Sequence, residues 1–213
     1  MRITIFGAAG NVGSRVVAEA LSRGHEVTAV VRNPARFTEL PTAAIATAAS
    51  AASVEDVAAL SANQDVVISA TRPSPGRESE LVSTAKTLLA GLRRTGTRLL
   101  LVGGAASLNV PEQEGTTVID DPKFLPAAWR DIGQACIDQL EVCRTETKVD
   151  WAYLSPPALL QPGKRTGNYR LGTDDLLIDS QGESTITMED LAVALLDEAE
   201  CPHHHRTRFT VAY

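Results

Sequence analysis

Short apolar runs and amphipathic stretches alternate along the first two-thirds of the chain. Runs of β-branched and aliphatic residues are typical of strands, and apolar residues that recur every three or four positions are typical of helices. The strand-like runs are RITIF, EVTAVVR, AAIATA, DVVISAT, RLLLVGG and VDWAYLSPP. The helix-like stretches are NVGSRVVAEALSRG, SVEDVAALSA, ESELVSTAKTLLAGLRRTG and PAAWRDIGQACIDQLEVCRTE. This alternation predicts an α/β fold, doubly wound around a mainly parallel sheet with helices on both faces.

The pattern changes after Pro157. Three short segments, TGNYRLG, DLLIDS and STIT, are strand candidates, and RTRFTVAY is a predicted terminal strand. MEDLAVALLDEAE is a predicted helix that Thr187 can cap, as Ser53 can cap the second helix. No linker, repeat or low-complexity segment separates this tail. We therefore expect a single domain over residues 1–213, with a core of about 1–157 and a small C-terminal extension of about 158–213 packed on its substrate side.

Composition and charge narrow the possible partners. The 213 residues are 44% hydrophobic and 22% charged, which is typical of a soluble globular protein, and the net charge is −6. An acidic chain is a poor partner for nucleic acid. The apolar runs are short, so we expect no membrane span. The chain enters a strand pattern at once, without a basic leader, and its three cysteines form no CxxC pair. These features predict a cytoplasmic monomer or homodimer that acts on a small molecule.

Three glycines stand where the first strand gives way to the first helix, in the sequence IFGAAGNVG. Gly7 permits a tight turn, Gly10 lets a phosphate approach the backbone, and Gly13 allows close packing of the helix. The helix N-terminus offers free N–H groups to a pyrophosphate. We therefore predict a dinucleotide site in this loop, with Ala9, Asn11 and Val12 beside the glycines. The alternative is a tight turn that binds nothing. A P-loop is excluded because no GK[ST] follows.

The end of the second strand indicates which dinucleotide is bound. An NAD site usually has an acidic residue there, whereas this chain has Arg32, with Arg36 about one helical turn later. Guanidinium groups suit a 2′-phosphate. The sequence therefore favours NADP(H) over NAD(H), unless both arginines only point into solvent.

These motifs, together with VVISAT, LLLVGGAASL, DWAYLSPPALLQPGKRTGNYRLG and ITMEDLAVALLDEAE, carry a family resemblance over nearly the whole chain. The chain resembles the atypical short-chain dehydrogenase/reductases, in the NAD(P)H-binding group that includes proteins similar to NADH-flavin reductases and biliverdin reductase B, with NmrA-like relatives. The resemblance implies a Rossmann fold with the cofactor across the carboxyl edge of the sheet. It implies further cofactor contacts at Ala70, Thr71, Arg72, Gly103, Gly104 and Pro156.

The chain also departs from the group. Relatives often carry an acidic residue after the third strand for the adenine, where this chain offers only Thr47 and Ser50. A histidine that follows the double proline in biliverdin reductase B is replaced by Ala158. Glycine stands where that relative has a serine after the fifth strand, although Ser107 is close by. These differences argue against a bilin reductase.

The usual catalytic pair of short-chain dehydrogenases, a tyrosine with a lysine four residues later, is absent. Trp129 stands near the expected tyrosine position, which disfavours a carbonyl reductase. Flavin reduction needs little acid catalysis from the protein, so a flavin is a candidate substrate. Ser107 is a candidate catalytic hydrogen-bond donor, or else a cap. Arg72 either holds an anionic part of the acceptor or is a solvated surface residue.

Two functions remain open from the sequence. The first is an NADPH-dependent reductase of a small planar acceptor, similar to NAD(P)H-flavin reductases. The second is an NmrA-like sensor that binds NADP(H) without turnover. Tyr169 either closes the pocket or packs on it, and Tyr153 is expected to pack within its strand. We predict no metal site, because His203, His204 and His205 are adjacent in an extended run. Cys136 and Cys143, two helical turns apart, are expected in the core.

Overall fold

A computed structural model describes all 213 residues and shows five helices and ten strands. The helices are α1 Asn11–Ser22, α2 Val54–Ser61, α3 Glu80–Thr95, α4 Arg130–Arg144 and α5 Met188–Glu200. The strands are β1 Arg2–Phe6, β2 Glu26–Val31, β3 Ile45–Ala48, β4 Val66–Ser69, β5 Arg98–Val102, β6 Trp151–Ser155, β7 Leu159–Gln161, β8 Arg170–Gly172, β9 Thr185–Thr187 and β10 Thr207–Ala212. No helix is both long enough and apolar enough to cross a membrane.

The main sheet has eight strands in the order β3-β2-β1-β4-β5-β6-β10-β8. All neighbouring pairs run parallel except β10 and β8. The strand order reverses between β1 and β4, and a crevice opens at such a point outside the carboxyl ends of the strands. The predicted doubly wound Rossmann fold is confirmed.

Each face of the sheet is covered by its own hydrophobic core. One core of 24 buried residues lies between the sheet, α1 and α5, and a second of 16 lies between the sheet and helices α2, α3 and α4. Successive strand residues alternate between the faces. Leu100 therefore lies in the first core, while Leu99 and Leu101 lie in the second. Strands buried on both faces explain the continuous apolar runs in the sequence.

The predicted caps form as expected. The Ser53 hydroxyl accepts a hydrogen bond from the Asp56 N–H, and the Thr187 hydroxyl accepts one from the Asp190 N–H. Gly24, just after the end of α1, has φ +78°, a conformation that favours glycine.

The C-terminal extension is tied to the core. Strand β10 lies in the main sheet beside β6, and the short β7 and β9 form a separate parallel pair. The division of the domain near residue 157 stays a prediction. The strand predicted for DLLIDS is wrong: Asp175 makes only an isolated bridge to Asn109. Leu176 is instead buried in a small cluster with Leu108, Val110, Val118 and Phe124, here named the cap cluster. Residues 105–125, for which the sequence indicated no element, supply most of it.

Candidate functional site

A cleft of about 650 Å³ opens at the carboxyl ends of β1, β2 and β4, where the strand order reverses. Its lining includes the predicted residues Gly7, Ala9, Gly10, Asn11, Val12, Arg32, Arg36, Ala70, Thr71 and Arg72. The structure thus brings together ten of the predicted site residues from three separate loops. A larger depression of about 860 Å³ lies between the loop 109–115 and residues 170–178. It is more open than the cleft and adjoins neither the glycine loop nor the parallel strand ends.

The three glycines of the loop have different structural roles. Gly7 has φ +81°, and a Cβ there would lie 2.6 Å from the Ala70 carbonyl oxygen. A Cβ on Gly13 would lie 2.8 Å from the carbonyl carbon of Gly7 and closer still to its oxygen. Gly13 therefore packs helix α1 against the backbone of the loop itself. Gly10 is different, because a Cβ there would touch only the Gly7 oxygen, at 3.1 Å, in otherwise open space on the cleft.

The N-terminus of α1 faces this cleft without a side-chain cap. Its N-cap residue is Gly10, which has extended backbone angles and no side chain to accept from the first turn. The first turn also holds no acidic residue. The free N–H groups and the positive end of the helix dipole are therefore available to an anionic ligand.

The two arginines after β2 differ in their partners. Arg32 is exposed on the cleft and makes no ion pair or side-chain hydrogen bond. Arg36 donates to both carboxylate oxygens of Glu39, at 2.8 Å and 2.7 Å, and to the Ala9 carbonyl at 2.6 Å. The hydrogen bond from Arg36 lowers the pKa of the Glu39 carboxyl. Arg32 therefore offers an unshared positive charge, whereas the charge of Arg36 is partly compensated.

Small residues line the cleft after β3. Ala49, Ser50, Ala51 and Ala52 form this wall. The nearby Asp56 carboxylate is used within the protein, since it accepts a hydrogen bond from the Ser50 N–H at 2.8 Å. The wall is therefore a largely apolar surface without a free acid, consistent with the absence of an acidic residue directly after this strand. Thr47 does not line the cleft.

Several lining residues were not predicted from the sequence. Arg77, Glu80, Leu81, Ser83 and Thr84 bring the start of α3 to the cleft, and Leu160 and Met188 bring the C-terminal extension to it. Arg77 and Glu80 form an ion pair. No local motif marks these positions, because they reach the cleft only through packing of α3, β7 and α5 around the sheet edge.

Gly103 and Gly104, which follow β5, have no room for a side chain because neighbouring side chains pack against them. A Cβ on Gly103 would overlap the ring of Tyr153, and one on Gly104 would lie 2.8 Å from Cβ and Sγ of Cys136. Tyr153 is fully buried and donates to the Cys136 carbonyl at 2.9 Å. Burial raises the pKa of Tyr153 well above its ordinary value. Neither glycine lines the cleft, and nor does Pro156, which is buried after β6.

Ser107 also lies outside the cleft lining. Its hydroxyl oxygen accepts a hydrogen bond from the buried Arg208 at 2.8 Å, and Arg208 forms an ion pair with Asp174. The hydroxyl proton of Ser107 remains free to donate. Tyr169 does not line the cleft either and donates to Asp197.

The histidines and cysteines outside the cleft have separate environments. The ring nitrogens of His203, His204 and His205 contact the Cys201 carbonyl, Glu198 and Asp150, respectively. Cys143 is fully buried in the core, as expected. Burial raises the pKa of the Cys136 thiol to about 11, although the nearby positive charge of Arg72 lowers it.

Arg72 connects the cleft to the start of α4. Its guanidinium carbon lies 5.3 Å from the centre of the Trp129 ring. Trp129 is 51% exposed, directly before α4. The other side of Arg72 faces the cleft beside Thr71. A cation and an aromatic ring thus stand together at this end of the site.

Several known proteins are similar to this chain in sequence and in fold. Residues 7–202 match the model of a family described as NAD(P)H-binding. The uncharacterized protein YwnB of Bacillus subtilis is 38% identical, over 99% of this chain and 98% of its own length. The structure of a Burkholderia pseudomallei protein described as a "putative exported protein" has a TM-score of 0.89 at 39% identity, covering 100% of both chains.

A structure from Streptococcus pneumoniae, described as a "putative NADH-flavin reductase", has a TM-score of 0.88 at 30% identity. It covers 100% of this chain and 99% of that one. The family match spans the glycine loop, both arginines and most of the extension. The chain therefore belongs to the NAD(P)H-binding family.

Proposed function

We propose that this protein is an NADPH-dependent oxidoreductase that reduces a small planar acceptor such as a flavin or a quinone. The observation that carries the proposal is the uncapped N-terminus of α1 at a cleft that also holds the unpaired Arg32. One feature suits a pyrophosphate and the other a 2′-phosphate. The relative described as a "putative NADH-flavin reductase" supports the acceptor class.

The residues of the cleft fit an extended NADP(H). The backbone N–H groups at Asn11 and Val12 would hold the pyrophosphate, while the Gly10 N–H donates to the Gly7 carbonyl at 2.9 Å and the open space beside Gly10 admits the ligand. Arg32 would pair with the 2′-phosphate, with Arg36 as a second donor. The small side chains of residues 49–52 would lie against the adenine.

The acceptor end of the site would be formed by the residues after β4 and β5. Ala70, Thr71 and Arg72 stand beside the cleft, with Gly103 and Gly104 on the neighbouring strand end. When bound, the nicotinamide supplies a hydride, so the acceptor gains two electrons and takes its second proton from solvent. The protein aligns the two ring systems, and such alignment is worth several kcal/mol. Ser107 accepts from Arg208 and lies outside the cleft lining, so a role for its hydroxyl as donor to an acceptor carbonyl stays a prediction.

One observation favours a second candidate, a sensor that binds NADP(H) without turnover. No tyrosine, lysine or histidine lines the cleft, and its one carboxylate, Glu80, is paired with Arg77, so the site offers no free proton donor of a conventional kind. The two functions differ in NADPH consumption. We expect NADPH oxidation with FMN, riboflavin or quinones and little with simple carbonyls. A lack of turnover with every flavin and quinone, in protein that still binds NADPH, would favour the sensor.

A further prediction concerns Glu39. Replacing Glu39 with glutamine removes the carboxylate that shares the charge of Arg36. Exposed ion pairs are weak, so we expect NADPH to bind about two- to fivefold more tightly, with no change for NADH. Titration calorimetry with both cofactors measures this. Glu141→Gln, at an exposed acid that pairs with Arg144 near the end of α4 and does not line the cleft, is the matched control. Equal gains for NADPH and NADH would show that Glu39 does not act on the 2′-phosphate.

A further inference from the structure

Trp129 is the most exposed aromatic side chain near the site. It is 51% exposed, whereas the other tryptophan, Trp151, is 2% exposed in the core. Trp129 precedes α4 and lies in a short 3-10 turn, Ala127–Trp129, so its backbone is held by regular structure. A large rigid ring that is left partly in water next to a ligand cleft is a platform on which another flat ring can stack.

Arg72 adds a charge without a counter-ion. It makes no ion pair and no side-chain hydrogen bond, and its guanidinium contacts only the Trp129 ring at 5.3 Å. Two other arginines on the same cleft, Arg36 and Arg77, are paired with glutamates. Arg72 therefore has its donors free for an anionic group, and the contact with an exposed ring is weak enough to be exchanged.

Arg72 and Trp129 lie away from the part of the cleft that is proposed to hold the 2′-phosphate. Arg72 follows β4 and lines the cleft with Ala70 and Thr71. Its charge reaches the thiol of Cys136, and Cys136 packs directly against Gly104 at the end of β5. In the sheet order, Arg72 and Trp129 therefore lie on the β4–β5 side of the cleft, on the other side of β1 from Arg32, where an acceptor would enter.

We propose that Arg72 and Trp129 select the acceptor: Trp129 stacks on its ring system and Arg72 holds an anionic substituent. The inference rests on the proposed function and narrows it to planar acceptors that carry an anionic group. FMN, with its phosphate, is then preferred to riboflavin, which has the same ring system without it. The guanidinium moves from the tryptophan ring to the phosphate when such an acceptor binds.

The test measures the dissociation constants of FMN and of riboflavin for the NADP⁺-saturated protein. Binding is monitored through the quenching of flavin fluorescence. We expect FMN to bind about tenfold more tightly than riboflavin. Arg72→Gln should lower the affinity for FMN to that for riboflavin. Trp129→Leu should lower the affinity for both flavins by about five- to tenfold. Trp129→Phe, which keeps an aromatic ring, should retain most of the affinity for both flavins. Arg144→Gln, at the far end of α4, is the matched control and should change neither.

Three outcomes would overturn the inference. The first is an unchanged ratio of FMN affinity to riboflavin affinity in Arg72→Gln, and the second is unchanged affinity for both flavins in Trp129→Leu. The third is a loss of flavin affinity in either variant that is matched by an equal loss of NADP⁺ affinity. Binding is measured apart from turnover, so the proposed function can fail separately. Flavin binding with these differences but without NADPH oxidation would contradict the reductase function and leave the selector role standing.

Discussion

Replacing Gly13 with alanine is expected to destabilise the protein by about 3 kcal/mol or more, because the new methyl group cannot fit. A Cβ at this position would lie 2.8 Å from the carbonyl carbon of Gly7, and backbone cannot move aside as a flexible side chain can. The loop must shift away from α1, which disturbs the core under it. Thermal unfolding should show a midpoint lowered by roughly 6–12 °C.

Gly10→Ala is the matched control for this effect. Gly10 has φ −74° and ψ 170°, which alanine adopts readily, and its Cβ would meet only one atom at 3.1 Å. We expect a midpoint within about 2 °C of the wild type, but a loss of NADPH affinity because the methyl occupies the phosphate position. Equal destabilisation by both substitutions would contradict the separate roles assigned to the two glycines.

Arg32→Asp is expected to weaken NADPH binding by roughly 30- to 150-fold, that is by about 2–3 kcal/mol. The substitution removes the unshared guanidinium at the cleft and places a carboxylate near the 2′-phosphate. NADH lacks that phosphate, and an acidic residue at this point can accept from its ribose hydroxyls. NADH affinity should therefore stay the same or rise. Titration calorimetry with each cofactor gives both values.

Arg94→Asp controls for the change in net charge. Arg94 is exposed in the last turn of α3 and makes only a 3.7 Å ion pair with Glu55. The Arg94→Asp substitution changes the net charge of the protein by the same amount as Arg32→Asp, but at a residue that does not line the cleft. NADPH affinity should therefore change less than twofold at 0.15 M salt. A loss in Arg94→Asp equal to that in Arg32→Asp would mean that long-range charge, and not contact with the phosphate, sets the affinity.

The main sheet could be predicted because its signals are local. Runs such as RLLLVGG are apolar throughout, as strands buried on both faces require, and amphipathic helices separate them. The glycine loop was recognisable for the same reason, since the strand, the glycines and the helix start are contiguous. Arg32 could be placed on the cleft once the end of β2 was known.

The features that escaped prediction depend on contacts between distant segments. DLLIDS has the composition of a strand, yet Leu176 packs into the cap cluster supplied mostly by residues 105–125. Gly103 suggested a cofactor contact, but the ring of Tyr153 from β6 is what requires a glycine there. The ion pair of Arg36 with Glu39 is an exception, because the two residues are only three apart; it forms where a 3-10 turn that the sequence did not indicate brings them together. None of these pairings leaves a periodic signal in the sequence.

The central claim is that the cleft at the glycine loop binds a dinucleotide and that Arg32 recognises its 2′-phosphate. The most direct measurement is titration calorimetry of the unmodified protein with NADPH and with NADH under the same salt and pH. The account predicts one bound NADPH per chain, with a dissociation constant at least about tenfold lower than that of NADH. Equal dissociation constants for the two cofactors, or no binding of NADPH, would contradict it.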